Sequence, residues 1–311
     1  MKRSIFLLTI VIALSACTSN NSLREEGLKG RVKSTFTQAF EVEQNFGELQ
    51  KGDMYDDVVT EIGLYPACMT EYNLDGYMVK DFIYEEDGDI YGAYTYEYDA
   101  RGNQTKFTSY DEDGELLWST ESKYEGDEKV ADYSYNAEGE LSLSWELVME
   151  NGTPVDIKRY NEYWEDECNY VYEFDGYKVA KMWSYCDGEL TSYTENTYKG
   201  KYLYLSVTTY ANGELQSSEQ SDYDKQGRLV YNKSVDSDGD ETYQESQYND
   251  QGLLVSHKQS NWWSEGIDCT IKYTQFDNHG NWTERVIYEG VKPMVIQTRI
   301  IEYYSWLEIF D

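Results

Sequence analysis

The residue types that most often carry acid–base or nucleophilic catalysis are sparse in this chain. It has only two histidines, His257 and His279, among 311 residues. We interpret His279 as a turn residue, because it lies inside residues 277–280 (DNHG), a turn phrase in which other side chains take the same position elsewhere. His257 lies on a predicted strand with no catalytic motif beside it, and carboxylates are too numerous for any pair to stand out. We therefore predict no catalytic residue, no cofactor and a protein that is not an enzyme.

One acidic phrase has the look of a calcium loop. Residues 236–241 (DSDGDE) begin like such a loop, but the EF-hand pattern needs Gly at its sixth position and Glu at its twelfth. Those positions hold Glu241 and Gln247. We predict a turn here and no metal site, with weak calcium binding by the acidic surface left open.

Three tryptophans form the sharpest candidate for a ligand site. Trp262 and Trp263 are adjacent, in an irregular segment, and Trp282 follows nearby. Exposed aromatic rings can stack on sugar faces, so these residues are candidates for glycan binding. The alternative is that they pack across neighbouring strands, as aromatic pairs do in sheets.

The N-terminus carries the features of an export signal. A basic pair at residues 2–3 precedes the apolar run 5–14 (IFLLTIVIAL), which is too short to span a bilayer as an ordinary helix. Residues 14–17 (LSAC) resemble a bacterial lipobox. The resemblance implies a signal peptide over 1–16, a lipid on Cys17 and a tether over 17–27, which would anchor the protein to a membrane. The alternative is a plain secretory signal with an incidental cysteine.

Four cysteines remain after Cys17, and they are widely spaced. An exported protein could oxidise Cys68, Cys168, Cys186 and Cys269, and four cysteines allow three pairings. A Cys168–Cys186 bridge can form across a hairpin turn near residues 175–176, although the two are not placed symmetrically about that turn. The sequence leaves the pairing open.

The charge balance excludes some partners. The chain has 59 acidic and 26 basic side chains, a formal net charge of −33. Such a chain should repel nucleic acid and anionic membrane surfaces. Acidic excess can also indicate disorder, but 32 Tyr, 8 Trp and 9 Phe can bury large areas. We therefore predict a folded protein that does not bind nucleic acid.

The elements that would position these residues are best seen in residues 94–117, which contain the same phrase twice. Alternating residues lead into Asp99-x-x-Gly102 and then into Asp111-x-x-Gly114. Alternation with period two predicts strands, with Tyr94, Tyr96 and Tyr98 on one face. Asp at the start and Gly at the end favour a type I turn that closes in a glycine bulge.

The phrase recurs through most of the chain. Where the array is clean, turn glycines lie 12 to 14 residues apart, as Gly76, Gly88, Gly102 and Gly114 show. Regular turns at this interval predict all-β structure. The rhythm breaks over residues 141–172, where Asn151-Gly152 signals a two-residue turn. We predict a single β-repeat domain over 28–311, another turn at residues 51–53 (KGD), and a last strand over 295–310 that closes the sheet.

These repeats resemble the YD, or RHS, repeat family, whose core is Tyr-Asp-x-x-Gly followed by Asn or Arg-Leu. The closest matches are residues 98–103, 223–229 and 276–281, and the resemblance covers about 72–289. It implies consecutive antiparallel β-hairpins in an elongated, curling sheet. Asp99, Gly102, Asp111, Gly114, Asp224, Gly227, Asp277 and Gly280 are the predicted structural residues of the turns.

The chain is too short to enclose a cargo, as the large toxins of that family do, and no toxin-like domain follows the last repeat. It resembles instead the small RHS-repeat lipoproteins of Bacteroidetes. We therefore expect an outer-membrane lipoprotein on the periplasmic or cell-surface face, held by lipid on Cys17, that acts as a binding or scaffold protein. An envelope protein or a glycan is the expected partner. A glycan-binding module is the first alternative, and an accessory or immunity partner of RHS toxins is the second.

Overall fold

The computed structural model describes residues 22–59, 62–161, 168–260 and 266–305. Within these ranges, one short helix precedes 21 strands that belong to a single sheet. The elements are α1 (Ser22–Glu25), β1 (Val32–Asn45), β2 (Glu48–Met54), β3 (Ala67–Tyr72), β4 (Met78–Tyr84), β5 (Ile90–Tyr98), β6 (Gln104–Tyr110), β7 (Leu116–Glu125), β8 (Glu128–Tyr135), β9 (Leu141–Glu150), β10 (Thr153–Asn161), β11 (Cys168–Asp175), β12 (Lys178–Cys186), β13 (Glu189–Lys199), β14 (Tyr202–Tyr210), β15 (Leu215–Tyr223), β16 (Leu229–Asp236), β17 (Glu241–Tyr248), β18 (Leu254–Ser260), β19 (Ile267–Phe276), β20 (Trp282–Glu289) and β21 (Lys292–Tyr303).

The sheet is a ladder of antiparallel hairpins. Strands β3 to β10 pair in succession from β3–β4 to β9–β10, and strands β11 to β21 pair in succession from β11–β12 to β20–β21. The long strand β1 joins the two halves, because it pairs with β2 and β3 on one edge and with β21 on the other. The predicted all-β class and the closing role of the last strand are therefore confirmed.

The two ends of the ladder, β10 and β11, come together without a described ladder pairing. The Arg159 guanidinium of β10 lies 4.9 Å from the ring centre of Tyr170 and 5.4 Å from that of Tyr172, both on β11. Ile157 packs with Val179 in a buried cluster across the same junction. The sheet is thus nearly closed on itself, whereas we predicted an elongated one. Strand twist, increased by a bulge at most hairpins, accumulates until the end strands meet.

The predicted turns have the expected geometry. At residues 99–103, the Gly102 N–H donates to the Asp99 carbonyl at 3.0 Å, and the Asp99 carboxylate accepts from the Arg101 and Asn103 N–H groups at 2.9 Å. Gly102 has φ +90°, which a glycine adopts without steric cost. The same pattern holds for Asp111 and Gly114, Asp224 and Gly227, and Asp277 and Gly280.

The turn predicted at residues 51–53 is wrong. Gly52 lies inside β2, and the hairpin turn is at Phe46 and Gly47, which both have positive φ. The strand continues through Gly52 because β2 stays paired with β1 as far as Met54 across a bulge. A glycine fits there since a Cβ atom would lie 3.1 Å from the Glu43 side chain.

Residues 22–27, which we assigned to the tether over 17–27, pack on the sheet. The Leu23 N–H donates to the Gly76 carbonyl at 3.1 Å, and the Ser22 hydroxyl accepts from the Met78 N–H at 3.0 Å. Leu23 is buried with Val32 and Tyr72. The sequence reading missed this contact because a single leucine in a polar stretch has no periodicity.

One face of the sheet, here called the inner face, carries the core. Ala39, Ile271, Ile287 and Val295 lie on this face and are covered by residues 55–59 and 62–66, whose Ile62 and Leu64 are buried against them. The end cluster around Ile157 and Val179 lies on the same face, as the strand registers show.

The two rims of the ladder differ in character. At one, here called the acidic rim, the residue after each of six turn glycines is acidic and exposed. These residues are Asp89, Glu115, Glu140, Glu189, Glu214 and Asp240. At the other, here called the clamped rim, several of the turns between 73 and 281 contact a neighbouring turn, as the stacked rings of Tyr77 and Tyr98 show.

The contacts of the clamped rim explain the Asn or Arg of the motif. The Asn103 side chain donates to the Gly126 carbonyl at 3.0 Å, and the Arg228 side chain donates to the Gly252 carbonyl at 2.8 Å. The Asn281 side chain instead donates to the Lys29 carbonyl at 2.8 Å, so the N-terminal segment takes the place of a further turn. The residue after the turn glycine therefore ties one hairpin to the next.

Candidate functional site

A cleft of about 370 Å³ opens on the inner face, between strands β4 to β6 and the covering residues 55–59 and 62–66. Its volume lies in the range of small-molecule sites, roughly 300–1,000 Å³. The lining residues are Val58, Tyr65, Asp81, Ile83, Tyr91, Tyr94, Tyr96 and Phe107. We call this the aromatic cleft.

Strand alternation places most of this lining. Asp81 pairs with Tyr94, and Tyr96 pairs with Phe107, so these four side chains point to the same face. The Phe107 ring centre lies 5.8 Å from that of Tyr94 and 5.3 Å from that of Tyr96. The Phe107 ring also contacts Trp118 at 4.8 Å. The rings therefore support one another and form a fixed wall.

A β-bulge adds a further ring. Ile83 pairs with Gly92 and Tyr84 pairs with Ile90, so Tyr91 is an extra residue in β5. Bulges redirect side chains, and Tyr91, which is 62% exposed, lines the cleft mouth. Gly92 leaves room for the Tyr94 ring, because a Cβ atom there would lie 3.1 Å from the Tyr94 hydroxyl oxygen.

Asp81 is the one carboxyl in the lining. It accepts a hydrogen bond from the Thr70 hydroxyl at 2.7 Å. Burial raises the pKa of Asp81 to about 6; the Thr70 bond opposes this rise and Glu26 adds to it. Cys68, Tyr94 and Tyr96 are further titratable groups near this carboxyl.

The raised pKa has a consequence for stability. An unfolded Asp has a pKa of roughly 3.9, so folding increases the proton affinity of Asp81. Ionisation of Asp81 therefore lowers stability as the pH rises from about 4 through about 6. Below about pH 4 both states are protonated, and the penalty is absent.

Tyr94 and Tyr96 keep their protons at neutral pH. Burial raises the pKa of Tyr96 and of Tyr94, and the nearby Asp81 charge raises both further. The hydroxyls are therefore neutral, and they can donate hydrogen bonds while their ring faces contact a ligand.

A buried arginine holds the covering segment in place. Arg285 donates to the Ile62 carbonyl at 2.8 Å and to the Gln297 side chain at 2.6 Å. Gln297 in turn donates to the Gly63 carbonyl at 3.0 Å. These bonds fix the segment that supplies Val58 and Tyr65 to the cleft.

Of the three tryptophans of the predicted ligand site, the structure describes Trp282 alone. Trp282 is only 4% exposed, and the guanidinium groups of Arg285 and Arg299 lie 4.8 Å and 3.9 Å from its ring centre. Its ring thus offers no open face to a ligand. Trp262 and Trp263 lie outside the described residues, as does Cys17.

The two histidines occupy structural positions. His279 donates its N–H to Asp277 at 2.9 Å, and its ring stacks on Tyr303, so its interpretation as a turn residue is confirmed. His257 is completely buried, with its Nδ1 3.0 Å from the Ser246 hydroxyl. It pairs across the sheet with the buried Cys269, away from the aromatic cleft.

Among the four cysteines that the structure describes, Cys168 and Cys186 form a disulfide, and Cys68 and Cys269 are free. The two bridged residues pair directly, with Cα atoms 4.2 Å apart. A bulge in β12 inserts one residue between the turn and Cys186, which compensates the unequal spacing in the sequence. Burial raises the pKa of the Cys68 thiol to about 11, so this thiol stays protonated.

The phrase over 236–241 forms a turn like its sisters, in which Asp236 accepts from the Asp238 and Asp240 N–H groups at 2.9 Å. No group of three or more potential metal ligands occurs among the described residues. In the same part of the chain, no helix has the length and apolar character needed to cross a membrane.

Comparison with known proteins adds little. No family model and no curated protein matches this chain. Among solved structures, a porin-like protein from Bacteroides uniformis is similar at 12% identity and a TM-score of 0.32, over 87% of this chain and 98% of that one. A porin-like protein from Bacteroides vulgatus gives 11% identity and a TM-score of 0.29, over 89% and 99%. At TM-scores this low, we draw no conclusion about this chain from either protein.

The aromatic cleft is not among the sites predicted from the sequence. The alternation of Tyr94 and Tyr96 was the available signal, since it predicted one aromatic face. No pattern marked Asp81, and the bulge that redirects Tyr91 depends on the pairing of β4 with β5.

Proposed function

We propose that this chain is a lipid-anchored binding protein of the cell envelope, without enzymatic activity, and that the aromatic cleft is its binding site. The cleft itself is the observation that carries the proposal. A concave, largely aromatic surface with a single convergent carboxyl is the usual form of a small-molecule site.

The chemistry of the lining supports binding rather than catalysis. Asp81 is the only carboxyl among the described lining residues, and no histidine, cysteine, serine or lysine accompanies it there. The pair of nucleophile and general base that is typical of covalent catalysis is therefore not formed by the described lining residues. Rigid rings that support one another favour a preformed site, which reduces the entropy lost on binding.

The repeat family remains part of the proposal. The bonds from Asn103 to Gly126 and from Arg228 to Gly252 give the Asn or Arg of the YD/RHS pattern a physical role between successive hairpins. These contacts support an assignment to the small RHS-repeat lipoproteins. The sheet would then serve as a scaffold that holds the cleft.

A ligand screen tests the binding site. The chain from residue 18, which omits the proposed lipidation site Cys17 and is called the mature chain below, would be screened by ligand-detected NMR against neutral sugars, organic amines and carboxylates. We expect at least one class to bind, and Tyr91→Ala to weaken that binding while Tyr210→Ala, which truncates an exposed tyrosine on β14, does not. The proposed site is wrong if no compound distinguishes the two variants.

Metabolic labelling tests the anchor. Cells fed a radiolabelled or alkyne-bearing fatty acid should label the wild-type chain and not Cys17→Ser. The variant should also retain an uncleaved signal. Equal labelling of both chains would contradict lipidation at Cys17.

A further inference from the structure

The ligand class can be narrowed further. Resting on the proposed function of the aromatic cleft, we infer that this site binds a small organic cation, with its ammonium group beside the Asp81 carboxylate and against the tyrosine rings.

The charges of the lining and of the whole chain favour a cationic ligand. The described lining residues include one acid and no lysine or arginine. The whole chain has a formal charge of −33, so its field attracts cations towards any cleft lined by its negative groups. An anionic ligand would meet repulsion from both sources.

The aromatic rings of the lining also favour a cationic ligand. The face of an aromatic ring carries partial negative charge, and an ammonium group within about 6 Å of the ring centre is attracted to it. The chain uses this contact repeatedly: Lys199 lies 3.4 Å from the ring centre of Tyr204, and Arg228 lies 4.0 Å from that of Tyr248. In the cleft, Tyr91, Tyr94 and Tyr96 offer the same partner to a cation from outside.

The hydrogen bonding and the ionisation of Asp81 favour a cationic ligand as well. In the described part of the chain, Thr70 donates the one side-chain hydrogen bond to Asp81, at Oδ1, which leaves Oδ2 for a ligand. A buried carboxylate without a cationic partner is unfavourable, as the raised pKa of Asp81 reflects. A bound ammonium group would neutralise it. The proton affinity of Asp81 would then fall, and binding would weaken as the pH drops below about 6.

The other groups that face Asp81 fit this view. Glu26 and the neutral groups Cys68, Tyr94 and Tyr96 surround the carboxyl. Glu26 is engaged by the Tyr72 hydroxyl, which donates to it at 2.6 Å. The groups named here add negative charge or none, so they do not compete with a cationic ligand.

A matched pair of probes tests the inference. Choline and its neutral isostere 3,3-dimethylbutan-1-ol have nearly the same shape and differ in charge. Binding to the mature chain from residue 18 would be measured by calorimetry at pH 8 and low salt. We expect choline to bind at least about tenfold more tightly than the isostere.

Two variants with the same change in net charge complete the test. Asp81→Asn should weaken choline binding roughly tenfold or more, while Asp222→Asn, which removes an exposed carboxylate elsewhere, should leave it within about twofold. Thermal unfolding would show that both variants fold. Wild-type affinity should also fall from pH 8 to pH 5, and the Asp81→Asn variant should lack this dependence.

The outcomes separate the two proposals. If the isostere binds as tightly as choline, or if Asp81→Asn binds choline like the wild type, the cation inference is wrong. If glucose binds in a Tyr91-dependent manner and choline does not, the cation inference falls but the cleft remains the binding site. If no sugar, amine or carboxylate of the screen binds in a Tyr91-dependent manner, both the cation inference and the proposed site fail.

Discussion

Replacing Asn103 by alanine should destabilise the whole sheet, because this side chain ties two hairpins together at the clamped rim. Asn103 is only 2% exposed. Its amide donates to the Asp99 carboxylate at 2.9 Å and to the Gly126 carbonyl at 3.0 Å. Alanine removes both bonds and leaves the Gly126 carbonyl without this partner.

The expected loss follows from these two bonds. A neutral hydrogen bond contributes about 1 kcal/mol net, and one to a charged group roughly 1.5–3 kcal/mol. The bonds together therefore account for about 3 kcal/mol, a large share of the roughly 5–15 kcal/mol that stabilises a typical domain. The backbone N–H of Asn103 still donates to Asp99 in the variant, so the turn itself should persist.

Urea unfolding of the mature chain, followed by circular dichroism and tryptophan fluorescence, measures this loss. The matched control is Glu115→Ala, at the same position after a turn glycine but exposed on the acidic rim. We expect the control to change the unfolding free energy by about 0.5 kcal/mol or less. Equal effects of the two substitutions would refute the clamping role, because they would show that position in the turn matters and the contact does not.

Three further predictions concern the disulfide, Asp81 and Arg285. Reduction of the Cys168–Cys186 bridge, whose partners are 18 residues apart, should lower the unfolding free energy by about 3 kcal/mol, as measured by urea unfolding with and without reductant. Asp81→Asn should stabilise the unliganded chain by about 1–3 kcal/mol at pH 8, because it removes the ionisation that burial opposes. It should have little effect on stability at pH 4, where the carboxyl is protonated. Urea unfolding at both pH values measures the difference. Arg285→Ala should destabilise by about 3 kcal/mol or more, since Arg285 is buried and hydrogen-bonded to the covering segment, and hydrogen exchange should show increased opening of residues 62–64.

For each of these three predictions, a specific outcome would contradict it. Alkylation of both cysteines in the unreduced, unfolded protein would show that the bridge is absent. A stability gain for Asp81→Asn that is the same at pH 4 and pH 8 would show that packing, and not ionisation, causes it. For Arg285, the control is the exposed Arg101→Ala; equal losses would mean that burial of the guanidinium is unimportant.

The hairpins could be predicted because their signals are local. The Asp and Gly of residues 99–102 fix a turn through bonds within five residues, so the sequence holds all the information needed. The two-residue turn at Asn151 and Gly152 is equally local, and both residues have positive φ as that turn requires.

The contacts between hairpins could not be predicted in the same way. Asn103 and Gly126 are 23 residues apart, and their contact depends on how two turns approach at one rim. The Cys168–Cys186 pairing depends on a one-residue bulge that no motif announces. The aromatic cleft combines both difficulties, because Tyr65 comes from an irregular segment and Tyr91 from a bulge.

The docking of residues 22–29 on the clamped rim also bears on orientation. Leu23 is bonded to Gly76 and Lys29 to Asn281, so a lipid on Cys17, five residues before Ser22, would hold this rim next to the membrane. The acidic rim would then point into the aqueous space, which is the arrangement an anionic lipid surface favours electrostatically. Tyr91 lies two residues after Asp89 of that rim. The cleft mouth would therefore face solutes arriving from solution, where the rim carboxylates raise the local concentration of cations.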